Sequence, residues 1–478
     1  MELRPADIYS GRLTSSSLTI RLPFVPGNWR PTEKPPLFLV KSAKGSIETS
    51  KGFQRESKKK LSHILIAEAA VRNIERKASA TSKLSNLWPK AVLDALDESI
   101  QSKQWQSALK IFKLLRKQQW YVPKCQTYAK LLTMLGKSKQ PEHAISLFRT
   151  MLSEGLEPTL DVYTSLVGVY GMSGLFDEAF LTIDEMKSVS GCIPDVFTYT
   201  ILINTCCKHQ RFDLFRKILN DMSYLGIECS AVTFNTIIDG YGKAGFFELM
   251  ENSLSDMLES GQCLPDVFTL NSFIWAYGSS GEIEKMEKWY DEFQHMGVTP
   301  DIKTFNILIK SYGRVGMFDK IYSVLKFMKK RFFSPTIVTY NIIIEAYGKA
   351  GNIETMDYFF RLMKHQGMKP NSITFCSLVS GYSKAGLLAR ISSIRRQIEN
   401  SDVVLDTPFF NCIISAYGQA GQVEKMEEML TYMKECKCNP DTITFATMRH
   451  AYNGQGMVEA IKELELMYQE LVNEKKLT

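Results

Sequence analysis

The 478-residue sequence contains ten cysteines but no Cys-x-x-Cys pair; the close ones are the adjacent Cys206 and Cys207, and Cys436 with Cys438. With six scattered histidines, no zinc-ligand spacing exists. Most cysteines occupy helical positions and read as reduced, small apolar fillers. No apolar run is long enough to span a bilayer. There is no glycine-rich phosphate loop, and no carboxylate cluster or nucleophile constellation outside the repeats described below. These absences exclude a zinc module and a membrane-spanning helix, and leave nowhere to place a catalytic centre.

Acidic residues are absent from Ile8 to Thr32, where Arg12, Arg21 and Arg30 stand among Ser10, Thr14, Ser15, Ser16, Ser17 and Thr19. An arginine-bearing, hydroxyl-rich, acid-poor start has the composition of an organelle transit peptide, here assigned to residues 1–42. Val40-Lys41-Ser42-Ala43 favours a plastid, with the mitochondrion as the alternative. Residues 43–88 form a basic linker with an N-terminal helix that opens at Lys58-Lys59-Lys60. Residues 1–88 hold sixteen Lys/Arg against seven Asp/Glu, while the remainder holds 42 against 44. So nearly neutral an array cannot bind nucleic acid by gross charge; binding requires charge segregated onto one surface.

From 89 to 476 the chain repeats itself. A divergent first repeat, residues 89–124, takes its second helix from Trp105, Ala108, Ile111, Phe112 and Leu115. Clear repeats then run 125–159, 160–195, 196–230, 231–266, 267–301, 302–336, 337–371, 372–406, 407–441 and 442–476, about eleven in all and each 35 or 36 residues long from 125 onward. In Ile337–Asn371, Tyr340, Ile344 and Tyr347 recur at helical spacing, and Ile353, Met356, Phe360 and Met363 form a second face. Thr339 is the expected N-cap, and Gly348 with Gly351 is expected to close the first helix. The fourth position is aromatic almost throughout and the eleventh is repeatedly tyrosine, rows assigned to packing between helices. Two short amphipathic helices cannot bury both faces alone, so the fold class is all-α, an α-solenoid of stacked helix–turn–helix units.

The pattern TYNxxIxxYGKxG…M…G..PD over 35 residues resembles the pentatricopeptide repeat family of organelle RNA-binding proteins, and the uniform repeat length resembles its P-type subclass. The resemblance covers residues 89–476. It implies single-stranded RNA as partner, read at one base per repeat. The reading side chains would be the fifth and last residues of each repeat, with the second residue against the base. The implied pairs are Thr164 with Asp195 for G, Thr200 with Ser230 for A, and Asn235 with Asp266 and Asn271 with Asp301 for U. Asn306 with Thr336 implies a pyrimidine, Asn341 with Asn371 C, and Asn411 with Asp441 U. With one unread base at repeat 372–406, the implied core is 5′-GAUUYCNU-3′, N-terminus to 5′ end. The resemblance implies no catalysis and no cofactor, and no membrane partner is expected.

The residues support this assignment on their own terms. Seven of the ten clear repeats place Asn or Thr at the fifth position, directly after the aromatic in six and after Leu270 in the seventh, inside an otherwise apolar helix start. A half-buried amide without a partner costs on the order of 1–3 kcal/mol, so these side chains demand partners. Local capping is the competing explanation, since Thr stands at the third position in eight repeats. Charge is phased as well. Lys137, Lys208, Lys243, Arg314, Lys349 and Lys384 occupy the thirteenth position and are the candidate phosphate contacts. If all six engage phosphates, the log–log salt slope is roughly −4 for a single strand. The eighteenth position is acidic in nine repeats, from Glu142 to Glu459, which suits the positive end of the second helix.

Some repeats depart from the pattern. Repeat 196–230 lacks the turn glycines, having Cys207 and Gln210, and repeat 372–406 has Cys376 at the fifth position and an arginine cluster at Arg390, Arg395 and Arg396. Ala129 and Ala446 cannot hydrogen-bond a base. Three functions compete. The first is sequence-specific, non-catalytic RNA binding that supports RNA stabilisation, processing or intron splicing, alongside other RNA-processing proteins. The second is an α-solenoid protein-binding scaffold, which has no reason to pair the fifth and last residues. The third, an RNA-cleaving enzyme, lacks any residues to carry it.

Overall fold

The computed structural model describes residues 89–118, 121–399, 403 and 405–477, so the expected transit peptide and basic linker lie outside the described residues. Among the described residues there are 22 α-helices, one 3-10 segment and no strand. They fall into two compact parts divided between Ser272 and Phe273. Both are built from stacked helix pairs, which makes the fold an all-α solenoid. The first pair comprises Pro89–Gln101 and Trp105–Arg116, with Ala108, Ile111, Phe112 and Leu115 buried.

Repeat 337–371 shows how the sequence makes the pair. Its first helix spans Ile337–Lys349 and its second Ile353–His365. Tyr340, Ile343, Ile344 and Tyr347 bury one side of the first helix against the second helix and against the first helix of the next repeat, Ser372–Lys384. In the second helix the buried residues are Met356, Phe359, Leu362 and Met363. Phe360 is only half-buried, its ring 6.1 Å from that of Phe375, because the helix buries a stripe one residue to the side of the expected one.

Two expectations about the ends of this helix need correction. Its N-cap is Thr336, the last residue of the preceding repeat, whose hydroxyl accepts from the Thr339 N–H at 3.4 Å. Thr339 is the third helical residue, and its hydroxyl accepts in return from the Thr336 N–H at 3.0 Å. Gly351 does take the left-handed turn, with φ 76°, but Gly348 lies inside the helix and is buried. A Cβ at Gly348 would stand 2.9 Å from Met356 Sδ and 3.3 Å from Gly381 Cα. Glycine is needed there for close approach of two helix backbones, not for a turn. Repeat 196–230 makes its turn with Gln210 at φ 57°, as repeat 125–159 does with Lys139 at φ 54°, where the other clear repeats use glycine, and its second helix begins with the 3-10 segment Phe212–Leu214 before Phe215–Tyr224.

The tyrosine rows pack as expected and also carry polar ties. In the C-terminal part, Tyr312 Oη donates to Glu287 at 2.7 Å, with Lys320 Nζ on the same carboxylate, and Tyr452 Oη donates to Glu427 at 2.8 Å. Tyr382 bonds Asp357, which Arg390 also contacts at 3.0 Å. Each of these links the eleventh residue of a first helix to the second helix of the preceding repeat. In the N-terminal part the fourth residue does similar work, Tyr163 donating to Glu185 at 3.1 Å and Tyr199 to Asp221 at 2.5 Å. A buried hydroxyl facing a carboxylate resists ionisation. Burial, aided by the Glu185 bond, pushes Tyr163 up to about 12, and burial does the same to Tyr347.

Two outcomes follow from this packing. Gly348→Ala is expected to destabilise the fold by about 1–3 kcal/mol through overpacking. Gly351→Ala costs about 1–2 kcal/mol through its left-handed backbone. Asn, which tolerates that conformation, restores thermal stability at 351 and not at 348. Tyrosines with raised folded-state values keep their protons after the unfolded chain has lost them. Their contribution is therefore whole below pH 10, the ordinary tyrosine value, and declines as pH rises above it. Burial likewise pushes the Cys206 and Cys207 thiols from 9 up to about 12, so thermal melts between pH 8 and 11 are expected to decline from about pH 9 and more steeply above pH 10.

Candidate nucleic-acid interface

The fifth and last residues of a repeat are thirty or thirty-one apart in sequence, yet in three repeats they bond directly. The first helix carries the fifth residue in its second turn, while the last residue caps the next first helix alongside. Asn235 Nδ2 donates to Asp266 Oδ1 at 3.1 Å, Asn341 Nδ2 to Asn371 Oδ1 at 3.2 Å, and Asn411 Nδ2 to Asp441 Oδ1 at 3.0 Å. In each case the side chain of the last residue also accepts from the N–H of the third residue of the following repeat: Thr269 at 3.0 Å, Thr374 at 3.0 Å and Thr444 at 2.9 Å. Capping and pairing are therefore not rival explanations of these residues, because one side chain does both.

Three of the other predicted pairs are joined through a third residue. Thr164 and Asp195 do not bond directly. Thr198 stands between them, its hydroxyl 2.8 Å from that of Thr164 and 2.8 Å from Asp195 Oδ1. Since the carboxylate only accepts, the Thr198 hydrogen goes to Asp195 and the Thr164 hydrogen goes to Thr198. Thr200 and Ser230 are likewise joined through Thr233, at 2.8 and 2.9 Å. Asn306 accepts from the Thr339 hydroxyl at 2.8 Å, and that hydroxyl lies 3.2 Å from Thr336. Asn271 is 4% exposed, and Asp301 caps its own helix through Thr304 N at 2.7 Å. Thr164 and Asn341 are almost as deeply buried, whereas Asn371 is exposed.

The carboxyl group of Asp441 lies below the usual aspartate value. Burial alone would raise it, but hydrogen bonds from Thr444 N, the Asn411 amide and Ile443 N outweigh burial. It stays an acceptor at any physiological pH.

Next to the junctions stands a row that sequence reasoning marked by position without naming its members. Phe197, Val232, Phe268, Val338, Ile373 and Ile443, each the second residue of a repeat, are 57–67% exposed. The signal was available: a large apolar residue in the first helical turn, off the stripe that carries the core. Sequence reasoning missed the third-position threonines altogether as members of the site, having assigned them to capping.

All six predicted phosphate contacts are exposed and lie in the last turn of a first helix. Eleven residues separate the second position from the thirteenth, three turns of helix, so Val338 and Lys349 project within about 20° of each other. Apolar and basic rows therefore share one side of the first helix. The basic row is not uniformly available. Lys243 pairs with Asp239 at 2.5 Å and Lys349 pairs with Glu345, both one turn earlier on the same helix, and Arg314 Nη1 donates to the Ser279 carbonyl at 2.5 Å. Lys208 Nζ lies 3.5 Å from Met172 Sδ. The acidic eighteenth positions sit in the first turn of the second helices, as expected for dipole compensation.

Repeat 372–406 is built differently. Cys376 replaces the amide, Cys412 Sγ lies 3.5 Å from the Cys376 carbonyl, and Asp406 caps the next helix through Phe409 N at 3.0 Å. Among the described residues no group of three or more His, Cys, Asp or Glu is placed to hold a metal, and no helix is long and apolar enough to cross a membrane. All ten cysteines are free thiols, and only Cys436 is exposed.

Models of one repeat family match along the chain. The PPR repeat family matches residues 161–208, 194–243, 335–384 and 405–453, the pentatricopeptide repeat domain 122–173 and 288–350, and the PPR repeat 232–262, 268–298 and 373–403. The chain is 63% identical over 245 residues to a pentatricopeptide repeat-containing protein of Arabidopsis thaliana, covering 51% of this chain and 55% of that one. It is 44% identical over 252 residues to a second such Arabidopsis protein, named as chloroplastic, covering 53% and 49%. The chain thus spans about half the length of these relatives. The crystal structure of the pentatricopeptide repeat protein PPR10 from maize aligns with a TM-score of 0.49 at 25% identity, over 86% of this chain and 62% of that one. With family models matching repeat after repeat from residue 122 to 453, the chain belongs to the pentatricopeptide repeat family.

Proposed function

We propose that this chain binds single-stranded RNA in an organelle, one nucleotide per repeat, and acts by occupying or remodelling a transcript without catalysis. The observation that carries the reading is the junction itself. At each of Asn235–Asp266, Asn341–Asn371 and Asn411–Asp441, two polar side chains meet near an exposed apolar residue, and at the first two a lysine, Lys243 or Lys349, stands in the last turn of the same first helix. That combination supplies a face to pack a base, polar groups for its edge and cations for the backbone.

The hydrogen-bond bookkeeping supports the base assignments. At Asn411–Asp441, Oδ1 of the aspartate is occupied by Asn411 and Thr444, leaving Oδ2 as an acceptor for the uracil N3–H. At Asn341–Asn371 the equivalent Oδ1 is occupied in the same way, so the remaining group is the Asn371 amide, a donor suited to the cytosine N3. Thr164 spends its hydrogen on Thr198 and so offers only lone pairs, as does Asp195, which suits the N–H-rich edge of guanine. The core 5′-GAUUYCNU-3′ retains its unread position at Cys376.

Several relatives carry chloroplastic in their names, which together with the acid-poor start supports the chloroplast, with the mitochondrion as the alternative. Residues 1–42 are then the transit peptide, and the uniform repeat length supports the P-type subclass. The role in the organelle would be stabilisation, processing or splicing of a transcript, together with other RNA-processing proteins.

Thr164→Asn is expected to exchange preference for G for preference for U at one nucleotide, a change of about 1–3 kcal/mol in a mobility-shift titration of the core RNA and its single-base variants. An unchanged base profile sinks the pairwise reading. Because Lys243 and Lys349 are held by carboxylates, four of the six basic residues are expected to engage phosphates. The affinity of the core RNA should then fall with salt at a log–log slope of about −3.

A further inference from the structure

Each of the seven repeats with Asn or Thr at the fifth position is followed by a repeat with Thr at the third. The two earlier-placed exceptions, with Ala129 and Cys376 at the fifth, are followed by Val162 and Phe409. A threonine needed only as the third residue of its own helix would be indifferent to a side chain in the preceding repeat. Capping proceeds without it, since Asp406 caps through Phe409 N at 3.0 Å. The seven threonines are completely buried, so none of them can touch a ligand.

We propose that the third-position threonine is a positioning residue for base selection by the preceding repeat, its hydroxyl fixing which way the fifth residue presents its donors and acceptors. The inference rests on the RNA-reading proposal above. Thr374 shows the mechanism. Its hydroxyl has one hydrogen and stands 2.7 Å from Asn341 Oδ1 and 2.9 Å from Asn371 Oδ1. The latter oxygen already accepts from Thr374 N and Asn341 Nδ2, filling both lone pairs, so the hydroxyl hydrogen goes to Asn341 Oδ1. Turned over, the Asn341 amide would set its oxygen against that of Asn371. The hydroxyl therefore locks one amide orientation, leaving the second Nδ2 hydrogen of Asn341 for a base. Thr444 with Asn411, at 2.6 Å, and Thr269 with Asn235, at 2.7 Å, repeat the arrangement. At Thr164 the same hydroxyl position accepts instead, because Thr198 passes its own hydrogen to Asp195. The buried threonine thus sets the polarity of a group it shields from solvent.

The test uses the whole chain and four RNAs that differ only at the nucleotide opposite repeat 337–371. The unmodified chain is expected to prefer C. Thr374→Val, which keeps the shape and removes the hydroxyl, should reduce that preference to about twofold or less without altering the profile at neighbouring nucleotides. Thr374→Ser, which keeps the hydroxyl, should retain it. A Thr374→Val chain that keeps its base profile, or that loses affinity for all four RNAs equally, overturns the proposal. Absence of any preference in the unmodified chain instead overturns the RNA-reading proposal beneath it. If Thr374→Val does not fold, as judged by its thermal melt, the decision passes to repeat 125–159. There Ala129→Asn alone should add no base preference, and Ala129→Asn with Val162→Thr should add one. A preference already present with Ala129→Asn alone overturns the proposal.

Discussion

The bond on which the rest depends is short and local: the side chain of a repeat's last residue accepts the N–H of the third residue of the next. It is made at Asp195, Ser230, Asp266, Asp301, Thr336, Asn371 and Asp441, always to the threonine three places on. A helix start leaves backbone donors without partners, and these side chains satisfy one of them. Their position in the molecule follows from that need. Because the cap is held at the start of one first helix, and the preceding first helix packs alongside, the cap lands beside the fifth residue of its own repeat. A capping requirement thus fixes the geometry of a paired site, and the repeat boundary drawn on the sequence runs through the middle of it.

Packing makes the spacing constant. Gly348 and Gly381 let two first helices approach until a Cβ on either would collide with Met356 Sδ or the opposing backbone. Tyrosine hydroxyls tied to Glu287, Asp357 and Glu427 hold three of the first helices to the second helix before them. These ties are half-buried and charge-bearing, so they specify one register better than apolar packing alone does. The polar side chains at the junctions are then held in place, which would lower the ordering entropy that the proposed RNA binding must overcome.

Electrostatics enters as segregation, not as net charge. The basic thirteenth positions share a side of the first helix with the exposed apolar second positions, while the acidic eighteenth positions belong to the starts of the second helices. Asp239 and Glu345 reduce the positive field at Lys243 and Lys349. Exposed pairs of this kind contribute little to stability.

What the sequence determined by itself is whatever repeats at a fixed period: the helix pairs, their length, the aromatic rows at the fourth and eleventh positions, and the identity of the fifth and last residues as a phased pair. Periodicity exposes these because each copy faces the same local demand. What it could not assign is the work of residues whose partners lie in the adjacent repeat. Gly348 looked like a helix stop and is a packing contact with Gly381; Thr339 looked like a cap and is a buried bridge to Asn306. Phe360 was placed on a face that Phe359 occupies. Only the tertiary structure decided these, because the direction of a hydrogen bond and the closeness of two backbones depend on how neighbouring helices stack, which no single repeat encodes.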